Sequence, residues 1–253
     1  MIVIDHVSKS FGRRQVLRDC CLEIRRGETT VIIGSSGTGK STLLRTIIGL
    51  TEPDAGRVFV DGRDVHAISP RQLRELRARM GYLFQSGALI NWLTVAENLA
   101  LPLREKTRLT EEEISRRIDR ALDLVDLRGT RDLRPDQLSG GMRKRAGLAR
   151  SLVTDPEILL YDEPTTGLDP VTAHIIDQVV VDLRTKLGVT SVVVSHDMEG
   201  VYRIADRVAM LYDGRIIATG TPQEFQNAVD PIVRQFVHGA LEGPLADRRE
   251  ERR

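Results

Sequence analysis

With 253 residues, 41% of them apolar and 29% charged, the chain can bury a sizeable core and is not a disordered polymer. Its 37 basic and 36 acidic residues nearly cancel, which removes any general electrostatic reason to expect nucleic acid as a partner. No apolar run approaches the ~18 residues of a membrane helix, no secretory leader is visible, and the adjacent Cys20 and Cys21 read as packing residues in a reducing compartment. A cytoplasmic protein is expected, one that meets a membrane only by docking onto another subunit.

In chain order, residues 2–7 and 20–24 read as strands, with Phe11 and Gly12 placing an aromatic near a turn between them. Residues 30–33 form a short buried strand pattern. There follow Gly34, Ser35, Ser36, Gly37, Thr38, Gly39, Lys40 and Ser41, a full match to G-x-x-x-x-G-K-[ST], the phosphate-binding loop. Glycines let successive N–H groups turn inward on an anion, and the next helix adds the positive end of its dipole. Lys40 can reach β- and γ-phosphates, and the Ser41 hydroxyl can take a place on Mg²⁺. That helix, over 41–48, carries Leu43, Leu44, Ile47 and Ile48 on one face. Residues 57–60 with Asp61 and Gly62 predict a tight hairpin. The first part is thus an antiparallel sheet interleaved with the phosphate-loop unit.

Ser69 and Pro70 open a helix whose apolar face is Leu73, Leu76 and Met80. Residues 81–85 are strand-like and end in Gln85. The apolar residues of 86–103, Trp92 and Leu93 among them, show little regular period. Thr110 to Glu113 is a capping box, with Ile114, Ile118, Ala121, Leu122 and Val125 at helical spacing behind it. Residues 70–150 read as mostly helical, with an inserted helical subdomain at about 86–155. From 157 the α/β rhythm returns. Strand patterns end in Asp162-Glu163-Pro164 and Ser195-His196-Asp197, a helix opens at Asp169-Pro170, and a hairpin turns at Asp213-Gly214. Strands alternating with helices predict a largely parallel, covered sheet, with ligand at the carboxyl ends of strands, where Gly34, Asp162 and His196 fall. The run at 246–253 is mixed-charge and reads as a solvated end.

Asp162 ends an apolar strand and suits Mg²⁺; Glu163 beside it can polarise a water for in-line attack on a γ-phosphate. Leu138, Ser139, Gly140, Gly141 and Met142 open a helix whose N–H groups and hydroxyl form a second anion site. Each of these stretches alone has a bland reading, a strand exit or a capped helix start. Their combination and order do not.

The combination resembles the ATP-binding cassette ATPases over about residues 1–225. Gly34 to Ser41 looks like their Walker A motif, Gln85 like the Q-loop glutamine, and Leu138 to Met142 like the signature. Asp162 and Glu163 resemble the Walker B aspartate and catalytic glutamate, Gly167 to Asp169 the D-loop, and His196 the switch histidine. The resemblance implies an α/β P-loop NTPase core with a mixed sheet, an N-terminal antiparallel β subdomain and an inserted α-helical signature subdomain. It implies head-to-tail homodimers that sandwich ATP and Mg²⁺. Residues 34–42, Thr42 included, would bind the triphosphate with Ser41, Gln85 and Asp162 on Mg²⁺. Ser139, Gly140, Gly141 and Asp169 would act across the dimer, and Glu163, His196 and Gln85 would be catalytic. Phe11 stands where an adenine-stacking tyrosine is usual, and Met142 where glutamine is commonest.

Residues 84–89, 93–98, 138–145 and parts of 230–244 further resemble the ATPases of Mla-type lipid transporters, which work with Mce-domain proteins. That implies a permease docked near Gln85 to Leu93 on the cytoplasmic side of the inner membrane, a small STAS-domain partner, and phospholipid traffic between two membranes. It also divides the chain into an ATPase domain at 1–228 and an extension at 229–253, with 230–245 a dimer clasp. Trp92 reads equally as dock or as core. Two other functions compete: a soluble cassette ATPase on DNA or the ribosome, and a P-loop kinase. One Walker A match, two cysteines and near-neutral charge count against the first; the signature and His196 count against the second.

Overall fold

Alternating apolar residues build the first strand pair in the computed structural model, which describes residues 2–245; the charged run at 246–253 lies outside the described residues. Strands β1 (Ile2–Phe11) and β2 (Arg14–Ile24) form an antiparallel hairpin with Ile2, Ile4, Val7, Leu17 and Ile24 turned inward. Cys20 is buried and Cys21 exposed, the alternation a strand imposes. Strand β3 (Thr29–Ile33) is buried throughout and leads into α1 (Lys40–Ile47). Strands β4 (Ala55–Val60) and β5 (Arg63–Asp64) meet through Asp61 and Gly62, with φ of 47° and 75°, the double left-handed geometry of a type I′ turn.

Helix α2 (Pro70–Ala78) has the expected Ser69 cap, reciprocated by Gln72. It stops earlier than its apolar pattern predicts: Met80 does not share a helical face with Leu76 but opens strand β6 (Met80–Leu83). The stretch that lacks a period in the sequence holds a regular helix, α3 (Val95–Lys106), capped by Thr94 and Glu97. Its buried stripe of Val95, Leu99, Ala100 and Leu103 is helical. The half-buried Leu93 and Leu101 dilute that stripe, and Pro102 imitates a stop signal inside the helix. Helix α4 (Glu111–Leu124), a 3₁₀ turn at Pro135–Gln137 and α5 (Gly140–Leu152) complete the helical insertion. The rest is β7 (Ile158–Asp162), α6 (Pro170–Leu187), β8 (Thr190–Ser195), α7 (Met198–Ile204), β9 (Arg207–Tyr212), β10 (Arg215–Gly220), α8 (Pro222–Gln226) and α9 (Pro231–His238).

The chain divides into two units, one formed by residues up to His66 and from Ser195 onward, the other by Ala67–Val194. The first unit holds the antiparallel sheet β2-β1-β4-β5 and the ladder β10-β9-β3, whose β10–β9 pair is antiparallel and β9–β3 pair parallel. The second unit holds the parallel ladder β8-β7-β6, with α3, α4 and α5 inserted between β6 and β7. This is the α/β fold with mixed pairing, an antiparallel β subdomain and a helical insertion that the sequence predicts. The C-terminal segment is organised as well. Asp230 caps α9 through the N–H groups of Ile232 and Val233, and the buried Gln235 side chain accepts from Leu245 N–H and donates to Ala240 O.

Candidate functional site

In the first unit the buried strand β3 delivers the chain into a tight turn. A side chain at Gly34 (φ 152°) would put its first carbon 2.3 Å from the Leu211 carbonyl oxygen, and one at Gly39 (φ 106°) would meet Val16 O at 2.9 Å. Only glycine fits either place. Lys40 is 4% exposed. Its ammonium donates to Gly34 O (2.8 Å) and Ser35 O (3.0 Å), and Thr38 Oγ1 donates to Ser35 O (2.9 Å), so the loop is curled around its own cation. Helix α1 has no side-chain cap and no acidic residue in its first turn. Its N-terminal N–H groups and dipole are therefore not answered by a carboxylate of the helix, which suits an anion. Ser41 and Thr42 sit half-buried in that turn, and Ser36 and Gly37 lie on the exposed crest of the loop.

The β1–β2 hairpin tip reaches the same loop. Phe11 pairs with Arg14 across the tip, and Arg14 Nη2 donates to Gly37 O at 3.0 Å. The Phe11 ring is 53% exposed, with Lys9 Nζ 5.6 Å from its centroid. A flat apolar face thus stands beside a phosphate-type loop. His196 follows β8 as an exposed residue on a fixed turn: Ser195 Oγ accepts from Asp197 N–H (3.0 Å), and Asp197 caps α7 through Glu199 N–H (3.1 Å).

In the second unit β7 ends at Asp162, 4% exposed, whose Oδ2 accepts from the Tyr82 hydroxyl at 3.2 Å. Glu163 then adopts φ 52° directly before Pro164, a conformation that both its side chain and the following ring disfavour. Its Oε2 accepts from Gln85 Nε2 (3.1 Å) and Thr166 Oγ1 (3.1 Å), and its N–H donates to Val194 O (3.0 Å). Parallel register explains the meeting: Leu83 pairs with Tyr161, so Gln85 and Glu163, each two residues beyond, leave their strands side by side.

Ser139 caps α5, its Oγ accepting from Met142 N–H at 3.2 Å. Gly140 faces open space, whereas Gly141 abuts the Thr172 side chain. The first turn of α5 carries no acidic residue, so it too suits an anion. Asp169 caps α6, accepting from Thr172 N–H (3.0 Å) and Oγ1 (2.6 Å); these bonds, the hydroxyl's first, hold its carboxyl below the usual range. Trp92 is 76% exposed, so it is not a core residue, while Leu93 is half-buried. Asn98 fixes their loop from beneath by donating to Ile90 O, Leu93 O and Thr94 O and accepting from Ile90 N–H.

Sequence reasoning missed Tyr82, Thr166 and Lys144, which hold the Asp162–Glu163 corner. Tyr82 had a readable signal, since an aromatic hydroxyl on a neighbouring buried strand needs a polar partner. Lys144 had none, standing between Arg143 and Arg145 as one cation among several on its helix.

The family model for ABC transporters matches residues 17–166. The intermembrane phospholipid transport system ATP-binding protein MlaF of Escherichia coli K12 is 43% identical over 239 residues, 94% of this chain and 89% of that protein. The probable ribonucleotide transport ATP-binding protein mkl of Mycobacterium leprae is 40% identical over 244 residues, 96% of this chain and 70% of that protein. Among solved structures, the ATP-binding cassette MJ0796 in a dimeric post-hydrolysis state with ADP and Pi aligns with a TM-score of 0.82 at 34% identity, covering 88% of this chain and 99% of that one.

Proposed function

The chain belongs to the ABC transporter family and is the ATP-binding, ATP-hydrolysing subunit of such a transporter, and from that premise we propose that it drives phospholipid traffic between two membranes. One geometric observation supports the hydrolytic role best: Gln85 Nε2 and Glu163 Oε2 stand 3.1 Å apart at the exits of adjacent strands. A carboxylate held this way can orient a water and take its proton as the water attacks the γ-phosphate. In this reading Lys40 and the N–H groups of residues 34–42 hold the triphosphate, Phe11 stacks on the adenine, and His196 contacts the γ-phosphate.

The Ser41 hydroxyl, the Gln85 amide oxygen and the buried Asp162 carboxylate are hard oxygen donors, the set Mg²⁺ prefers. They would hold Mg²⁺, which would supply charge neutralisation to the bound triphosphate. Two copies of the chain form the working unit, each offering Ser139, Gly140 and Gly141 to the nucleotide on the other. Support for this comes from the exposure of Gly140 and from the dimeric form of the similar cassette. Residues 1–228 are the ATPase domain, with its helical subdomain at about 86–155. Residues 229–253 are an extension, and Val229 and Leu241, 93% and 92% exposed, fit a clasp on the second copy. Trp92 is the anchor offered to a permease, which holds the chain on the cytoplasmic side of the inner membrane.

Two cargo classes appear among the relatives. Phospholipid is preferred because the match to MlaF spans 89% of that protein, against 70% for mkl. The test is a pull-down of the tagged chain from detergent-solubilised native membranes. A multi-span permease with an Mce-domain protein, and a small STAS-domain protein beside them, is the expected recovery. A permease of another class would discard the lipid reading and keep the ATPase.

A further inference from the structure

Helix α5 holds, by main-chain oxygens, both of the loops that carry the Gln85–Glu163 pair. Lys144, half-buried on α5, donates through Nζ to Glu163 O at 3.4 Å and to Thr166 O. Arg150, further along the same helix, donates to Ala88 O (2.7 Å) and Gly87 O (3.4 Å). Between them Gly147 packs backbone to backbone on Gly87: a carbon added at Gly147 would lie 2.7 Å from Gly87 Cα and from Gly87 O. Glu163 and Ala88 both hold positive φ, 52° and 50°, which side-chain-bearing residues keep only when their surroundings impose it. Burial pushes the pKa of both cations down, with the Glu163 charge opposing the shift at Lys144. Keeping two half-buried cations on carbonyl oxygens is costly unless the loops they grip must stay in place.

We propose that Lys144 and Arg150 are positioning residues for ATP hydrolysis: α5 is a jig that fixes the two loop exits so that Gln85 and Glu163 meet. The proposal rests on the reading of Glu163 as the proton-accepting carboxylate. Neither cation touches the reacting atoms; each acts through the backbone of a loop.

The test uses the full chain carrying Lys144→Met, with Lys144→Arg as the conservative rescue. Amide exchange of residues 163–168 is expected to speed up about fivefold or more in Lys144→Met while α1 and α4 keep their rates. Turnover at saturating ATP should fall about tenfold, with nucleotide affinity within about twofold, because a displaced base loses rate rather than binding. Lys144→Arg should return turnover to within about threefold of the original. Arg150→Met should give the same split with faster exchange at residues 85–88. Unchanged exchange at 163–168 overturns the proposal, and so does an equal acceleration across α1 and α4, which would mark Lys144 as general packing. Glu163→Gln, run beside them, separates the two ideas: normal turnover in that variant removes Glu163 from the chemistry, while the exchange result still decides the jig.

Discussion

The phosphate loop and the corner after β7 solve opposite problems by opposite means. In the proposed role the loop gathers positive potential for a polyanion with main-chain N–H groups, a helix end and one lysine, all within residues 34–42. The corner, in the same proposed role, keeps a carboxylate aimed. Its restraints are side chains from separate stretches: Gln85 and Thr166 on the carboxylate, Tyr82 on the neighbouring Asp162, Lys144 on the backbone. A grip made of backbone is written locally and survives changes elsewhere. An aim made of side chains is distributed, and small shifts in any of several elements degrade it.

The largest effect on binding expected from this contrast is at Lys40. Lys40→Ala removes the buried cation that donates to Gly34 O and Ser35 O, and should weaken ATP binding about 100-fold or more by nucleotide titration. The second unit should keep its stability. Retained affinity would break the comparison, because the loop's grip would then lie elsewhere. Glu163→Gln is the complementary case. The amide keeps the shape and loses the base, so turnover should drop about 10²- to 10³-fold with nucleotide affinity within about threefold. An equal loss of both would show that the corner, too, contributes to the grip.

The same contrast explains what could be read from the sequence. The glycine-rich turn between β3 and α1, the ends of β3 and β7, the caps at Ser69, Thr110 and Asp169 and both Asp-Gly hairpins follow from local chemistry, and all appear at the expected places. The missed features depend on partners far along the chain. Met80 leaves its helix because β7 offers a strand partner, Ile158. Helix α3 tolerates Pro102 because tertiary burial of Leu99 and Leu103 outweighs a local stop signal. Gln85 and Glu163 are individually legible as motif residues, but their contact depends on β6–β7 register, and the grip of Lys144 on the loop has no local signature.

Gly147→Ala sharpens the comparison from the packing side. The added methyl must displace the Gly87 backbone, since no flexible side-chain end stands there to give way. Overpacking of this kind costs about 1–3 kcal/mol, which denaturant unfolding would register as a lower midpoint. Gln85 lies two residues from Gly87, so turnover should fall severalfold as well, with ATP binding nearly unchanged. A stability loss without any turnover loss would mean that the Gln85–Glu163 contact is less demanding than its geometry implies.

The smallest effect belongs to Phe11, and it asks whether any of the grip in the first unit comes from a side-chain face. The ring lies at the hairpin tip, 53% exposed, and its cross-strand partner Arg14 donates to Gly37 O, so the tip is tied to the loop whichever residue stands at position 11. Truncation should therefore leave the loop intact and remove only stacking. Phe11→Ala should weaken ATP binding about threefold to tenfold, the value of an aromatic pair of about 0.5–1.5 kcal/mol. Phe11→Tyr should leave it unchanged, because the ring and not a hydroxyl provides the contact. A triphosphate lacking the base separates the alternatives: its affinity should ignore both substitutions. If Phe11→Ala weakens triphosphate and ATP alike, Phe11 supports the loop structurally, and the grip is less purely main-chain than its geometry indicates.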